Sequence, residues 1–121
     1  MSGRILVVED DADIREDLAE LLRDEGYDVA TAVNGEDALA LLRREASVGL
    51  ILLDLMMPVM DGWQFREAQL ADPALASVPI IVLSADGDTP RKASALRANA
   101  YLTKPFALPR LLTTIHTLLH P

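Results

Sequence analysis

The sequence predicts an α/β protein with a doubly wound, five-stranded parallel sheet of the (βα)5 type. The chain has 121 residues, of which 50% are apolar, so it suits one compact domain with a buried core. Five short apolar runs occur along the chain, and most of them are continuously apolar, as in strands covered on both faces. Between these runs, apolar residues recur with helical spacing. Regular alternation of strands and helices is typical of a parallel sheet with helices on both sides.

The first half of the chain supplies three of the predicted strands, at residues 5–8, 29–32 and 50–53. The helix after the first strand ends at Gly26, a residue suited to a C-terminal cap. The helix after the second strand opens at Gly35. We expect four apolar residues of the first helix to share its core-facing side: Ile14, Leu18, Leu21 and Leu22.

The second half supplies the remaining elements. A third helix is predicted from Gly62 or Trp63 to about Leu70, before Pro73. A fourth strand at residues 80–83 precedes a helix at 90–97, whose first turn accommodates Pro90. A fifth strand at 100–102 precedes the clearest amphipathic helix of the chain. Its apolar stripe consists of Leu108, Leu111, Leu112, Ile115, Leu118 and Leu119.

Composition excludes several classes of function. The net charge of −8 argues against a protein that binds nucleic acid directly, since such proteins need a basic surface. No apolar run is long enough to span a bilayer, and acidic residues as early as Glu9 argue against a signal peptide. The absence of cysteine excludes disulfides, thiolate metal sites and thiol nucleophiles. We therefore expect a cytoplasmic protein with no membrane partner.

Polar and charged residues follow four of the predicted strands. Glu9 and Asp10 follow the first, Asp54 the third, Ser84 the fourth and Lys104 the fifth. The carboxyl ends of parallel strands share one edge of the sheet, which is where ligands of such sheets bind. Clustered carboxylates attract a hard divalent cation, and a carboxylate can also accept a phosphoryl group. The ammonium and the hydroxyl would then balance and hydrogen-bond that group.

Four segments of the chain resemble the signature motifs of response-regulator receiver domains. These are residues 5–11 (ILVVEDD), 53–62 (LDLMMPVMDG), 83–85 (LSA) and 101–106 (YLTKPF). The resemblance covers the whole chain in order, so it implies one receiver domain at residues 1–121 with no effector domain. It also implies the flavodoxin-like strand order 2-1-3-4-5.

By this resemblance, Asp54 accepts a phosphoryl group from the phosphohistidine of a sensor histidine kinase or a phosphotransfer protein. Mg²⁺, or Mn²⁺, would be bound by Asp10, Asp54 and the backbone carbonyl of Met56, with Glu9 acting directly or through water. The implied function is a signalling switch that catalyses only its own phosphorylation and dephosphorylation, and not a conventional enzyme.

The resemblance assigns further roles near the phosphoryl group. Ser84 and the backbone N–H of Ala85 would contact phosphoryl oxygens, and Lys104 would pair with the group. Tyr101 would turn inward as Ser84 moves, and the bond before Pro105 would be cis, which only about 5–6% of X-Pro bonds are.

The chain departs from the family pattern at two places. Arg97 stands where many receivers have a glycine, so we expect the end of the fourth helix to lack its usual cap. The segment from residue 84 to residue 104 is short, which predicts an irregular start for the same helix.

Other interpretations stay open. Alone, each site residue has an ordinary explanation; Asp10 or Asp11, for example, could simply cap the first helix. An aspartyl-phosphate phosphatase or phosphotransferase usually carries a second acid where this chain has Met56. A flavin-binding electron carrier would need a Ser/Thr-rich loop in place of the acids after the first strand. Because the chain begins at Met1 we expect a stand-alone regulator, with a piece of a hybrid kinase or another multidomain regulator as the alternative.

The charge of the chain is divided unevenly. Residues 1–88 hold all 19 acids with six basic residues, a net −13, whereas residues 89–121 hold five basic residues and no acid, a net +5. We therefore expect the acidic first helix to dock a basic kinase surface. The face formed by the fourth helix, fifth strand and fifth helix should meet an acidic downstream partner, and a weak homodimer is the other contact to test.

Overall fold

The computed structural model describes residues 3–45, 47–55, 61–84 and 88–120. Its five strands are β1 (Arg4–Val8), β2 (Val29–Ala32), β3 (Val48–Asp54), β4 (Ile80–Ser84) and β5 (Ala100–Thr103). Its five helices are α1 (Ala12–Asp24), α2 (Gly35–Arg44), α3 (Gly62–Ala71), α4 (Thr89–Leu96) and α5 (Leu108–Leu119). The strands are parallel and lie in the order β2-β1-β3-β4-β5. This confirms the predicted fold class and strand order.

Two apolar clusters cover the two faces of the sheet. Alternate residues of each strand point to opposite faces, so Leu6 and Val8 of β1 join one cluster while Ile5 and Val7 join the other. The first cluster packs against α2, α3 and α4, and the second against α1 and α5. Both faces are therefore dry, which explains why the central strands are continuously apolar.

The register of the strands aligns their carboxyl ends. Val8 pairs with Leu53, Asp54 with Leu83, and Ser84 with Thr103. The residues at and just beyond these positions therefore meet at one edge of the sheet. The register alone places Glu9, Asp54, Ser84 and Lys104 near one another.

Helix α1 buries fewer of its apolar residues than its spacing predicts. Leu18 and Leu22 are buried together with Ala19, but Ile14 and Leu21 are 44% and 43% exposed. At about 100° per residue, Ile14 and Leu21 are turned by about 80–100° from Leu22, toward the side away from Ala19. The prediction that all four large residues face the core was wrong for these two.

The end of α4 is capped, contrary to the sequence-based expectation. Arg97 adopts the left-handed conformation with φ of 56°, which arginine rarely does. Its N–H donates to the carbonyl of Ser94 at 3.0 Å, and the Ala98 N–H donates to that of Ala93 at 3.0 Å. This is the hydrogen-bond pattern of a glycine-type cap, made without glycine.

Two further observations concern α3 and α4. Trp63, in the first turn of α3, is 39% exposed, while Phe65 supplies the buried aromatic ring of this helix. Helix α4 starts at Thr89, and the side chain of Asp88 makes no cap hydrogen bond. Residues 85–87, on which the expected irregularity falls, lie outside the described residues. Within the described parts of the chain, no helix has the length and apolar character needed to cross a membrane.

Candidate functional site

Three carboxylates meet at the carboxyl edge of the sheet. Glu9 and Asp10 follow β1, and Asp54 is the last residue of β3. Each offers one oxygen, and these oxygens all lie within 4.8 Å of one another. Glu9 and Asp54 are buried, at 3% and 8% exposure, whereas Asp10 is exposed. Two of the three carboxyl groups in this cluster are therefore removed from water.

This arrangement disfavours full ionisation of the cluster. Burial raises the pKa of the Glu9 carboxyl, and the neighbouring Asp54 carboxylate raises it further. Asp10 is exposed as a residue, but partial desolvation of its carboxyl raises its pKa as well, and Glu9 acts in the same direction. The N–H of Asp11 and the charge of Lys104 oppose the shift at Glu9 without cancelling it. A cation placed among the three oxygens would relieve this repulsion.

Lys104 brings an ammonium into the cluster. Its Nζ lies 3.1 Å from Oε1 of Glu9 and 3.8 Å from Oδ2 of Asp54. Its position is fixed through the backbone, because its N–H donates to the carbonyl of Ser84 at 2.8 Å. The Lys104–Pro105 peptide bond that follows is cis.

Ser84 and Tyr101 occupy different environments. Ser84 ends β4 and is only 2% exposed, at the same edge as Asp54. Tyr101 lies in β5 opposite Val82 and is 40% exposed, so its ring faces outward in this structure. The inward position that the resemblance implies is a different arrangement of the same side chain.

Two of the predicted site groups, the carbonyl of Met56 and the N–H of Ala85, lie outside the described residues. The structure therefore brings together Glu9, Asp10, Asp54 and Lys104, with Ser84 at the same edge. Asp11, the third acid after β1, caps α1 by accepting from the N–H groups of Asp13 and Ile14.

Arg15 is a site-adjacent residue that the sequence analysis missed. Its Nη1 donates to the carbonyl of Glu9 at 3.0 Å and to that of Asp10 at 3.4 Å. It braces the turn on which both carboxylates stand. A signal existed, because a basic residue near the start of a helix is opposed by the helix dipole and so calls for a local partner.

Gly62 fixes the far side of the loop that follows Asp54. Its N–H donates to the carbonyl of Leu55 at 3.1 Å. A Cβ on Gly62 would lie 2.8 Å from the Cα of Leu55 and 3.3 Å from the carbonyl oxygen of Asp54. Only glycine allows this approach of α3 to the end of β3.

The donor set fits a hard divalent cation. The three groups are all carboxylates, the ligands that Mg²⁺ and Ca²⁺ prefer, and burial together with their closeness raises the pKa of Glu9 and of Asp10. Their closeness without a countercharge of equal size is the observation in favour of a bound cation.

Comparison with known proteins assigns the family. The family of response regulator receiver domains matches residues 5–116. The transcriptional regulatory protein PrrA of Mycobacterium tuberculosis is 41% identical over 120 residues, which are 98% of this chain and 50% of PrrA. The chain thus spans about half the length of the curated relatives that it matches.

Solved structures agree. The chemotaxis protein CheY4 of Vibrio cholerae superimposes with a TM-score of 0.88 at 32% identity, covering 98% of this chain and all of CheY4. The receiver domain of the sensor histidine kinase PA1611 of Pseudomonas aeruginosa gives 0.89 at 30% identity over the whole of both chains, and that structure has a magnesium ion in its active-site cleft. This chain belongs to the response regulator receiver family and takes part in phosphorylation-based two-component signalling.

Proposed function

We propose that residues 1–121 form one receiver domain that works as a Mg²⁺-dependent switch with Asp54 as its phosphoacceptor. The observation that carries this proposal is the convergence of Asp54 with Glu9, Asp10 and Lys104 at the carboxyl edge of the sheet. The donor is the phosphohistidine of a sensor histidine kinase or a phosphotransfer protein. An oxygen of Asp54 attacks phosphorus, the P–N bond breaks and its electron pair returns to the imidazole.

The metal would be held by Glu9, Asp10 and Asp54, and by the carbonyl of Met56 on the resemblance alone. When bound, Mg²⁺ or Mn²⁺ neutralises charge on the transferred group. Glu9 and Asp10 would orient the cation and keep it beside Asp54. In this assignment each of the three carboxylates contributes one oxygen to the metal.

Lys104 and Ser84 would act on the phosphoryl group itself. The ammonium of Lys104 lies 3.1 Å from Glu9 and 3.8 Å from Asp54, so a small movement brings it to a group carried on Asp54. The buried hydroxyl of Ser84 and the N–H of Ala85 donate to the remaining oxygens. The chain catalyses only its own phosphorylation and dephosphorylation.

The surface of α1 supports docking of the kinase. Ile14 and Leu21 are exposed two turns apart, so they form an apolar strip. Five exposed acids lie on the solvent side of α1, next to the strip: Asp13, Glu16, Asp17, Glu20 and Asp24. Like charges at i, i+4 cost about 0.2–0.5 kcal/mol per pair, a cost that a basic partner would remove. The proposed partner surface is basic with an apolar edge.

The face formed by α4, β5 and α5, which we call the output face, carries positive charge, in contrast to the acidic α1. Arg91, Arg97 and Arg110 are exposed on or beside α4 and α5, and the exposed Tyr101 of β5 lines a groove with Arg110. We assign this face to an acidic downstream partner. Turning of Tyr101 as Ser84 moves would couple this face to the state of Asp54.

Labelling by acetyl phosphate tests the site. With Mg²⁺, the intact mass of the wild type should rise by about one phosphoryl group, and Asp54→Asn should show no rise. Asp13→Asn, an exposed acid on α1, is the matched control and should label like the wild type. A labelled Asp54→Asn protein would overturn the assignment.

Charge reversal tests the output face. The probe is an acidic peptide with the sequence of residues 11–25, followed by fluorescence anisotropy at low and high salt. Arg91, Lys92 and Arg97 changed together to Glu should weaken its binding while leaving labelling of Asp54 intact. Arg43 and Arg44 changed to Glu on α2 are the control. Binding that survives the first reversal and is insensitive to salt contradicts the electrostatic account.

A further inference from the structure

Two histidines lie together at the carboxyl end of α5. His116 lies in the last turn of α5, and His120, four residues later, is the residue that caps the helix, so the two side chains lie close together. Their ring centroids are 4.6 Å apart and the ring planes are inclined by 41°. Both residues are exposed. They are far in sequence from the acidic cluster and play no part in the proposed phosphoryl transfer.

Core packing does not account for this pair. The buried residues of α5 are Leu111 and Ile115, on another side of the helix. Within the described chain, neither imidazole has a hydrogen-bond partner. Two imidazoles therefore stand side by side, and no described residue forms a hydrogen bond with their ring nitrogens. Imidazole pairs at i, i+4 on a helix are a chelating arrangement for zinc in proteins.

The surroundings favour a cation at this place. His116 lines a groove between the end of α1 and α5, and Glu25 and Tyr27 line the same groove. Glu25 brings a carboxylate, and the last carbonyls of α5 carry the negative end of the helix dipole. The negative charge of Glu25 in this groove and the end of the helix dipole thus both favour a cation here.

We propose that His116 and His120 form a two-histidine chelating site for a borderline divalent cation, of which Zn²⁺ is the natural example. Imidazole nitrogen suits Zn²⁺, Cu²⁺ and Ni²⁺, whereas Mg²⁺ prefers oxygen. The chain would therefore carry two cation sites that differ in chemistry.

Calorimetry with Zn²⁺ tests the site, in the presence of excess Mg²⁺ to fill the acidic cluster. We expect one Zn²⁺ per chain and at least a tenfold loss of affinity in both His116→Ala and His120→Ala. Glu25→Gln should lose less than either. Thr117→Ala, an exposed change on the same helix, is the matched control and should bind like the wild type.

Melting temperature and Zn²⁺ affinity together distinguish a site at the histidines from binding elsewhere on the chain. The melting temperature of the wild type should rise with Zn²⁺, and this rise should disappear in both histidine variants, whose metal-free melting should be unchanged because the rings are exposed. Equal affinity in the wild type and both histidine variants overturns the proposal. A loss of Zn²⁺ binding in Asp10→Asn equal to that in His116→Ala also overturns it, because the ion would then occupy the acidic cluster.

Discussion

The guanidinium of Arg66 donates a hydrogen bond of 2.8 Å to the carbonyl of Arg97. It also donates to the carbonyl of Leu96 at 2.9 Å and to Oε1 of Gln69 at 2.7 Å. Arg66 is only 6% exposed, and no acid of the described chain pairs with it. Burial lowers the pKa of this guanidinium, and the charge of Arg97 adds to the shift. A buried cation on α3 is thus held by the carbonyl end of α4.

Replacing Arg66 by Met should destabilise the fold by about 2–4 kcal/mol, because it leaves buried carbonyl and amide oxygens without donors. Arg66→Lys keeps the charge but cannot reach three acceptors, so its loss should be intermediate. Urea unfolding measures the free energy of unfolding of both variants. If Arg66→Met is as stable as the wild type, the hydrogen bonds to α4 contribute little.

Arg97→Gly should stabilise the protein by about 0.5–1 kcal/mol. The left-handed conformation costs a non-glycine residue about 1–2 kcal/mol, and the extra entropy of unfolded glycine offsets part of the gain. Arg97→Ala removes the charge beside Arg66 but keeps the backbone strain, so it separates the two effects. A gain in Arg97→Ala equal to that in Arg97→Gly would assign the effect to charge.

Gly62→Ala should destabilise the fold by about 1–3 kcal/mol, because the new methyl group overlaps the backbone of Leu55. It should also slow labelling of Asp54 by acetyl phosphate, since Leu55 follows Asp54 directly. Gly26→Ala is the comparison: nothing stands within 4 Å of its Cβ, but its φ is +94°. That variant should lose stability and keep the wild-type labelling rate.

Asp10→Asn should raise the melting temperature of the metal-free protein at neutral pH. The pKa of Asp10 is raised in the fold, so the folded state binds its proton more tightly than the unfolded state. The stability that this carboxyl contributes is present at acid pH and is lost as the pH rises through the raised pKa. The advantage of Asp10→Asn should therefore shrink as the pH falls toward 3.8, the ordinary value.

Scanning fluorimetry in EDTA and in Mg²⁺ measures this effect and checks the metal site. Mg²⁺ should raise the melting temperature of the wild type and raise that of Asp10→Asn much less. An equal response of the two proteins to Mg²⁺ would place the cation elsewhere.

The sequence predicts the elements of this fold well because both faces of the sheet are covered. Continuous apolar runs such as residues 50–53 can only be buried strands in this context, and the family motifs supplied the strand order. Exposure within a helix was harder to predict. Ile14 and Leu21 lie at the margin of the buried arc of α1, where spacing alone does not decide burial.

The contacts of the site also differ in how well the sequence predicts them. Acids and bases at strand ends predict which side chains meet, because parallel strands end at one edge. Hydrogen bonds that run from a side chain to distant backbone carry no sequence pattern, and the contacts of Arg66 with the end of α4 belong to this kind. The left-handed Arg97 is similar, since its conformation contradicts its residue preference.

The alignment of strand ends has a consequence for synthesis of the chain. Glu9, Asp54 and Lys104 are separated by about 50 residues at each step and come together only when β1, β3 and β5 lie in one sheet. A nascent or partly unfolded chain holds these groups too far apart to act jointly. Only a completely folded chain could then accept a phosphoryl group. Incompletely folded copies would remain unphosphorylated and would not transmit a signal.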